Sequence, residues 1–324
     1  MTEGDEIIQI DWNSEAWERA ILARRDIGRI GGAGDWVLYT PGRLLVDSAA
    51  AQDKRVVKTL RRYKAEEARE QDAETIREYG ITLYTVPDDR LVEAVRAIRA
   101  LVPGAASPEH VWLPGANKIH GDDLPVPTDP VEIPDPAATA AGGEPLAVFV
   151  LDTGIAKVPF KVESTRADAE VPDEDQDKLR DHAAGHGTHV AGIIARLAPG
   201  ARIVARRLLT SPVGMATELE TAQAIVAAGR DGAHLINCSF GGTTLFDAPP
   251  LLTERALAML APQVVVVASA GNSGSERPSW PAACKGVIAV GSVGQEAEGS
   301  PWLQTDFSNF GQWVDCCAPG VAIR

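Results

Sequence analysis

The chain has 324 residues and a formal charge of −14, with 31 Lys and Arg against 45 Asp and Glu. That balance argues against a nucleic-acid partner, because neutralising phosphates requires a surplus of Lys and Arg. The composition, 45% hydrophobic and 23% charged, is that of an ordinary globular protein with room for about two domains, which argues against disorder and against a mini-protein.

No apolar stretch reaches the roughly 18 residues that a membrane span requires. The acidic start at residues 1–6 also differs from the basic and then apolar start of a signal peptide. We therefore expect no membrane partner and a cytoplasmic location. The cysteines show neither CxxC spacing nor paired histidines for zinc, so we expect free buried thiols at Cys238, Cys284, Cys316 and Cys317.

Residues 1–32 contain a weak helical pattern at 14–25 that ends in a glycine cluster, and we interpret them as an N-terminal extension of unknown role. Residues 33–114 are predicted to form a small α+β domain. Its predicted elements are extended runs at 36–39 and 43–47 joined by a turn at Pro41 and Gly42, a long charged helix over about 53–78, a strand at 81–86, a helix at 88–101 and a strand at 110–113.

Residues 115–143 are rich in Pro, Asp, Ala and Gly and lack an apolar period, which is typical of a linker. In residues 144–324, apolar runs alternate with helical stretches. Strands without in-out alternation, joined by helices, indicate a parallel sheet that is covered on both faces. The predicted strands are 146–151, 203–207, 234–238, 264–268 and 287–290, and the predicted helices are 187–197, 217–229 and 253–260.

Two segments of this second domain each carry a side chain that acyl transfer needs. They lie at the carboxyl ends of predicted strands or in the crossovers between them, where the catalytic residues of parallel-sheet proteins are found. Asp152 ends a buried strand, although a turn or capping aspartate is the ordinary alternative. His186 lies among small residues before a helix, where a packing role is the ordinary alternative. His186 and His189 have a spacing that could bind zinc on a helix, but the Glu of an HExxH motif is absent, so we expect no metal.

A third segment places Asn272 in a glycine-flanked loop directly after an apolar strand. An amide side chain in that position can donate a hydrogen bond to a developing oxyanion. Taken alone, such a loop is most often a plain turn, since Asn and Gly are common turn formers.

Together, the order Asp, His, Asn on an alternating β/α chain resembles the subtilisin-like family of serine peptidases, the subtilases. The resemblance covers about residues 146–324 and implies an α/β fold with a parallel-sheet, three-layer domain. It extends to the segments Ile236 to Gly242, Trp280 to Ala282, Val287 to Ser292, Phe307 to Gly311 and Ala318 to Val321.

The resemblance implies that Asp152 orients the imidazole, that His186 is the general base and that Asn272 donates to the oxyanion, in the chain order known from subtilisin. It implies polypeptide substrates and no cofactor. It also implies a strand that pairs with substrate and a wall of the first specificity pocket, which are Ser239, Phe240 and Gly241 and then Ser269, Ala270 and Gly271.

The N-terminal α+β domain resembles the ferredoxin-like inhibitory propeptide of the same family, and an unrelated accessory domain is the alternative. As a propeptide it would be an intramolecular partner of the peptidase domain. We expect about residues 110–121 to occupy the substrate cleft.

One departure from the family concerns the nucleophile. The family carries its serine in a Gly-Thr-Ser-Met-like segment that opens a helix, and the sequence stops at Arg324 before any such segment. We therefore expect a chain that is truncated before the catalytic serine and is inactive as given, with a pseudopeptidase or peptide-binding scaffold as the alternative. Without that helix, parts of the sheet should be uncovered at Val148, Val150, Val265 and Val267.

Two further hypotheses concern acidic residues, namely an aspartic peptidase and a calcium site. An aspartic peptidase built on Asp152 would need a second such triplet or a homodimer, and it leaves the other segments unexplained. Many relatives bind calcium in a loop that corresponds to residues 186–203, but this stretch has no carboxylate to bind the ion, so we expect that site to be absent. The acidic run at 168–177 could hold an ion, but we expect it to be a solvated loop.

Overall fold

The computed structural model describes residues 14–32, 36–114, 146–210, 212–295 and 300–321, so the predicted linker at 115–143 lies outside the described residues. Residues 14–114 form an α+β unit, here called the N-terminal unit. Its elements are α1 Ser14–Ala23, β1 Gly28–Ile30, β2 Val37–Asp47, α2 Lys54–Arg62, β3 Glu66–Glu67, α3 Gln71–Glu78, β4 Ile81–Thr85, α4 Asp88–Leu101 and β5 Ala106–Pro114.

The strands of the N-terminal unit are antiparallel and follow the order β5-β2-β4-β3, with β1 beside β2. Helix α4 has the predicted bounds, and it buries Leu91, Val95 and Ile98, which recur along one face of the helix. These side chains share a core with Leu44 of β2.

The predicted long helix over 53–78 is wrong, because two helices and a short strand occupy this range. Helix α2 is followed by Lys64 in the left-handed region, with φ 55°. Glu66 and Glu67 then pair with Thr85 and Tyr84 of β4. Charged residues with good helix propensity therefore adopt a strand here, since an open sheet edge offers backbone partners.

The predicted turn at Pro41 and Gly42 is also wrong, because β2 runs through both residues as one strand. The chain instead forms an irregularity at this point, where the register of β2 against β5 shifts between Tyr39 and Leu44. Gly42 has φ 72°, and a Cβ there would lie 2.9 Å from the Val86 carbonyl oxygen. The Pro-Gly pair therefore bends a strand and does not reverse it.

Residues 146–321 form the C-terminal unit. Its elements are β6 Ala147–Asp152, α5 His186–Leu197, β7 Arg202–Arg207, β8 Ala216–Thr217, α6 Glu218–Arg230, β9 Leu235–Cys238, β10 Phe240–Gly241, α7 Leu251–Ala258, β11 Val265–Ser269, β12 Val287–Gly294, β13 Leu303–Gln304 and β14 Cys316–Pro319. The strand order is β13-β12-β11-β9-β6-β7, with β14 beside β12, and only β13 pairs antiparallel among these described strands. The predicted α/β fold with a parallel sheet is confirmed.

Helices cover the two faces of this sheet unequally. One face shares a buried core with α6 and α7, through Phe149, Ile236 and Val266. On the opposite face, α5 packs over β6 and β7, where Val150 lies in a buried cluster with Ala191. The described residues therefore form three layers, helix, sheet and helix, in the part of the sheet that contains β6 and β7.

The expected uncovering of the sheet is confirmed at β11 and wrong at β6. Val265 is 39% exposed and Val267 is half-buried, whereas Val148 and Val150 are buried. Helix α5 packs against β6 and β7, which explains why Val148 and Val150 are buried.

The prediction of free buried thiols is confirmed for two of the four cysteines and wrong for the other two. Cys238 and Cys284 are free and buried, but Cys316 and Cys317 are exposed. Both exposed cysteines lie in β14, all of whose residues are exposed beside β12. Among the residues that the structure describes, none of the helices combines the length and the apolar character needed to cross a bilayer.

Glu218, at the start of α6, joins the two units while fully buried. Its Oε1 accepts the N–H of Leu252 at 2.6 Å and of Thr253 at 3.2 Å, at the first turn of α7. Its Oε2 accepts the N–H of His110 and lies 3.0 Å from His110 Nδ1, in β5 of the N-terminal unit.

Replacing Glu218 by alanine should lower the free energy of unfolding by about 3 to 5 kcal/mol, because it leaves these buried donors without a partner. Urea denaturation of the 324-residue chain measures the loss. Glu254→Ala is the matched control, since Glu254 is an exposed residue on α7 and should change stability by no more than about 0.5 kcal/mol. Equal effects of the two changes would contradict this role of Glu218.

A second buried carboxylate is Glu109, which lies in β5. Its Oε2 is 2.5 Å from Arg43 Nε. Burial raises the pKa of Glu109 to about 7, with Arg43 opposing the rise and Glu218 adding to it. In the unfolded chain the group ionises near pH 4.5. The folded form therefore keeps a proton that the unfolded form has lost, and stability falls as pH rises from about 4.5 through about 7.

Between pH 5 and pH 8 we expect the thermal midpoint of the wild-type chain to drop further than the thermal midpoint of Glu109→Gln. The reason is that the amide side chain of the variant cannot ionise. Glu70→Gln is the control, because Glu70 is exposed and also contacts Arg43. The same pH dependence in the wild-type chain and in Glu109→Gln would exclude Glu109 as its source.

Candidate active site

Asp152 and His186 lie in direct contact at the carboxyl edge of the parallel sheet. Asp152, the last residue of β6, is buried, and its Oδ1 lies 2.7 Å from His186 Nδ1. The same oxygen accepts the N–H of Thr153 at 2.7 Å. A carboxylate held in this way fixes the orientation of the imidazole and favours the proton on Nδ1, which leaves Nε2 able to accept one.

Glycines let the first turn of α5 approach the end of β6. His186 opens α5, directly after Gly185 in the left-handed region with φ 93°. A Cβ on Gly187 would lie 2.5 Å from the Gly154 carbonyl oxygen and 3.0 Å from Asp152 Cβ. The small residues around His186 are therefore a steric requirement for the contact between His186 and Asp152.

Two opposing effects set the pKa of His186. Burial lowers it, whereas the Asp152 carboxylate, through its charge and its hydrogen bond, and the charge of Glu170 raise it, and the net shift is upward. For the neighbouring histidines, burial together with the charge of His186 lowers the pKa of His182 to about 4 and also lowers that of His189. Of these three side chains, His186 is the one beside Asp152 and the one whose protonated form is stabilised.

Glu170 is a site residue that the sequence analysis missed. Thr153 Oγ1 and Thr188 Oγ1 each donate to Glu170 Oε2 at 3.3 Å, and the backbone of Gly185 also bonds to this carboxylate. Thr153 Oγ1 in turn accepts the N–H of Gly187 at 3.0 Å. Glu170 therefore ties the segment after Asp152 to the segment around His186. In sequence it belongs to an acidic run, so no local pattern distinguishes it from a solvated carboxylate.

Replacing Glu170 by glutamine should lower the pKa of His186, because it removes one of the negative charges that favour the imidazolium. An NMR titration of the His186 ring protons in the 324-residue chain measures this directly, without any catalytic assay. Asp173→Asn, in the same acidic run, should leave the midpoint unchanged. An unchanged midpoint in Glu170→Gln would show that Glu170 is too well screened to act on the ring.

The loop that carries Asn272 follows β11 at the same edge of the sheet, because β11 is parallel to β9 and β9 is parallel to β6. Buried Asn309 holds this loop. Its Oδ1 accepts the N–H groups of Ser273 at 2.9 Å and Ser275 at 3.1 Å, and its Nδ2 donates to the Ala270 carbonyl at 2.8 Å. The structure therefore places Asn272, half-buried, on a loop with a defined shape.

The predicted substrate-binding residues lie at the same edge. Ser269 is the last residue of β11, and Ala270 and Gly271 follow it, both buried. Ser239 precedes β10, which consists of Phe240 and Gly241. A Cβ on Gly241 would lie 2.5 Å from the Trp280 carbonyl oxygen.

Strand β10 is paired with the N-terminal unit. Phe240 pairs with Pro114 and Gly241 with Leu113, antiparallel. The preceding residues of β5, Val111 and Trp112, pair antiparallel with β8. The end of β5 is thus paired with two short strands of the C-terminal unit. The rest of the range expected in the cleft, from residue 115 on, lies outside the described residues.

In the acidic loop, the carboxylate oxygens of Asp173, Asp175 and Asp177 lie within 4.8 Å of one another. They accept backbone N–H groups of the same loop, those of Asp177, Lys178 and Leu179. The expected solvated loop is confirmed at Asp175 and Asp177, which are exposed, and wrong at the start of the run, where Asp168 is buried and Glu170 is half-buried.

The family model described as the subtilase family matches residues 143–323. A protein named thermophilic serine proteinase, from Bacillus sp. (strain AK1), is 41% identical over 152 residues, which are 43% of this chain and 35% of that protein. Subtilisin BL from Lederbergia lenta is 35% identical over 202 residues, which are 58% of this chain and 70% of that protein.

A solved structure, fervidolysin from Fervidobacterium pennivorans, is described as a keratinolytic enzyme related to subtilisin. It is similar with a TM-score of 0.52 and 24% sequence identity over 88% of this chain and 48% of that chain. This likeness concerns the fold. The chain thus spans about a third of the Bacillus relative and about half of fervidolysin.

Proposed function

The chain belongs to the subtilase family, and we propose that it is part of a serine endopeptidase. Asp152 orients the imidazole, His186 acts as the general base, and Asn272 donates a hydrogen bond to the oxyanion. The observation that carries this proposal is the 2.7 Å contact between Asp152 Oδ1 and His186 Nδ1 at the edge where the Asn272 loop also lies.

In the proposed reaction, His186 Nε2 takes the proton of a serine hydroxyl as the serine oxygen attacks the scissile carbonyl. The negative charge that develops on the carbonyl oxygen is stabilised by the Asn272 amide. His186 then gives its proton to the leaving amine, and a water molecule repeats the sequence on the acyl-enzyme. Asp152 stays ionised and stabilises the imidazolium in each step.

We further propose that the nucleophilic serine lies on a segment outside these 324 residues. None of the 324 residues forms the Gly-Thr-Ser-Met-like segment of the family. The half-uncovered sheet face beside α5, where Val265 and Ile288 are each 39% exposed, supports a helix that would pack there and begin at the serine. Residues 1–324 alone would then bind peptides without hydrolysing them.

The N-terminal unit is proposed to be an inhibitory propeptide-like domain. Support comes from β5, whose residues 111–114 pair with β8 and β10, the strands that an extended peptide substrate would join. Main-chain pairing of this kind makes little demand on the substrate sequence, so we propose broad specificity for polypeptides.

The test compares residues 1–324 with a chain extended in its reading frame to a serine-bearing segment. We expect the extended chain to hydrolyse casein, a serine-directed phosphonate to block this, and residues 1–324 to be inactive. A serine-to-alanine change in the extended chain is the matched control. If the extended chain bound peptides without cutting them, the scaffold alternative would replace the enzyme.

A further inference from the structure

We propose that the N-terminal extension, residues 14–32, is a clamp that holds strand β5 against β8 and β10. The sequence left the role of this extension open. The inference rests on the proposed function in one respect, since it takes β10 to be the strand that a substrate would join.

The end of β5 has two buried sides, because successive side chains of a strand point to opposite faces. Trp112 points to one side and belongs to a large buried cluster drawn from both units, together with Phe240 and Leu219 of the C-terminal unit. Val111 and Leu113 point to the other side and are also buried. Something must therefore cover this second side, which faces away from the core of the C-terminal unit.

The second side is covered by a separate apolar cluster, here called the seam cluster. It draws residues from the extension, from β2 and the residue before it, from β5 and from the loop before β8, so it bridges the two units. Its buried members are Ile21, Trp36, Leu38, Val111, Leu113, Val213 and Met215. Ile21 of α1 is fully buried here, while Leu22, the next residue, is 49% exposed. Helix α1 thus closes the seam cluster with one face.

The rest of the extension ties α1 in place. Strand β1 pairs antiparallel with β2, with Gly28 opposite Tyr39. A Cβ on Gly28 would lie 2.3 Å from the Tyr39 ring, so the ring packs directly on this glycine. Arg29 Nη1 donates to the Ile21 carbonyl at 2.6 Å, which links β1 back to the helix.

These contacts have a consequence for the cleft. If α1 is displaced, Val111 and Leu113 of β5 and Val213 and Met215 before β8 lose their cover at the same time. The core of the parallel sheet belongs to other clusters and keeps its contacts. Loosening should therefore be local to the place where β5 meets β8 and β10.

Hydrogen exchange of the 324-residue chain, read by mass spectrometry of peptides, tests the clamp without any need for activity. In Ile21→Ala, the amides of residues 111–113, 216–217 and 240–241 should exchange at least about tenfold faster than in the wild-type chain. Peptides from β6, β7 and β11 should exchange at the wild-type rate. Leu22→Ala, at the exposed neighbouring position, should match the wild-type chain everywhere.

A second variant acts on the extension without touching Ile21. Gly28→Val should force β1 away from the Tyr39 ring and give the same local pattern, whereas Gly32→Ala, which meets no atom within 4 Å, should not. Unchanged exchange at 111–113 in both Ile21→Ala and Gly28→Val would overturn the clamp. A uniform rise across all peptides would also overturn it, since Ile21 would then serve general stability.

The two proposals can fail separately. An inactive extended chain would refute the proposed function while the exchange pattern still supported the clamp. Hydrolysis by the extended chain, with no local exchange effect of Ile21→Ala, would refute the clamp alone.

Discussion

Replacing His186 by alanine in the serine-bearing extended chain should lower kcat by about 10⁶-fold, the loss known for the equivalent change in subtilisin. The reason is that Asp152 and the serine act only through the imidazole between them. Without the base the serine hydroxyl keeps its proton, and only the oxyanion site and substrate binding still accelerate the reaction. Hydrolysis of casein or of a chromogenic peptide at saturating substrate measures the change.

His182→Gln and His189→Gln are the controls for this result. Burial lowers the pKa of both side chains, whereas His186 is the histidine in contact with Asp152 Oδ1 and its pKa is raised. Each change should affect activity only as far as it affects stability. An equal loss in His189→Gln, with the thermal midpoint preserved, would identify His189 as the base in place of His186.

Replacing Asn272 by alanine in the same chain should lower kcat by about 10² to 10³-fold with little change in KM, a magnitude taken from subtilisin. The amide donates to a charge that is present in the transition state and not in the bound substrate. Ser273→Ala is the matched control, because Ser273 is held to Asn309 through its backbone N–H and not through its side chain.

The outcome is informative in either direction. A large rise in KM at constant kcat would mean that Asn272 binds the substrate itself. An unchanged kcat would remove Asn272 from the oxyanion site, and Asn309 would then be important only for the shape of the loop.

Local patterns were sufficient for the elements with a clear apolar pattern. The helix at 88–101 has the predicted bounds, because its apolar residues recur with helical spacing. The strands of the parallel sheet were predicted to within a few residues, since their buried, uninterrupted apolar runs have few other interpretations. The range 53–78 failed for the opposite reason, because charged residues without an apolar period leave the choice between helix and strand to the partner strand β4.

The subtilase family and the α/β fold could be predicted from the residues alone, as could the order of Asp152, His186 and Asn272, because these depend on short segments whose residue types are demanded by local geometry. The contacts that join those segments follow from the tertiary fold. Glu170 joins the site across 18 residues of chain before Thr188, Asn309 shapes the Asn272 loop from 36 residues beyond Ser273, and Ile21 closes the seam cluster at Leu113. These contacts depend on how distant segments pack, and packing of distant segments leaves no periodic signal in the chain.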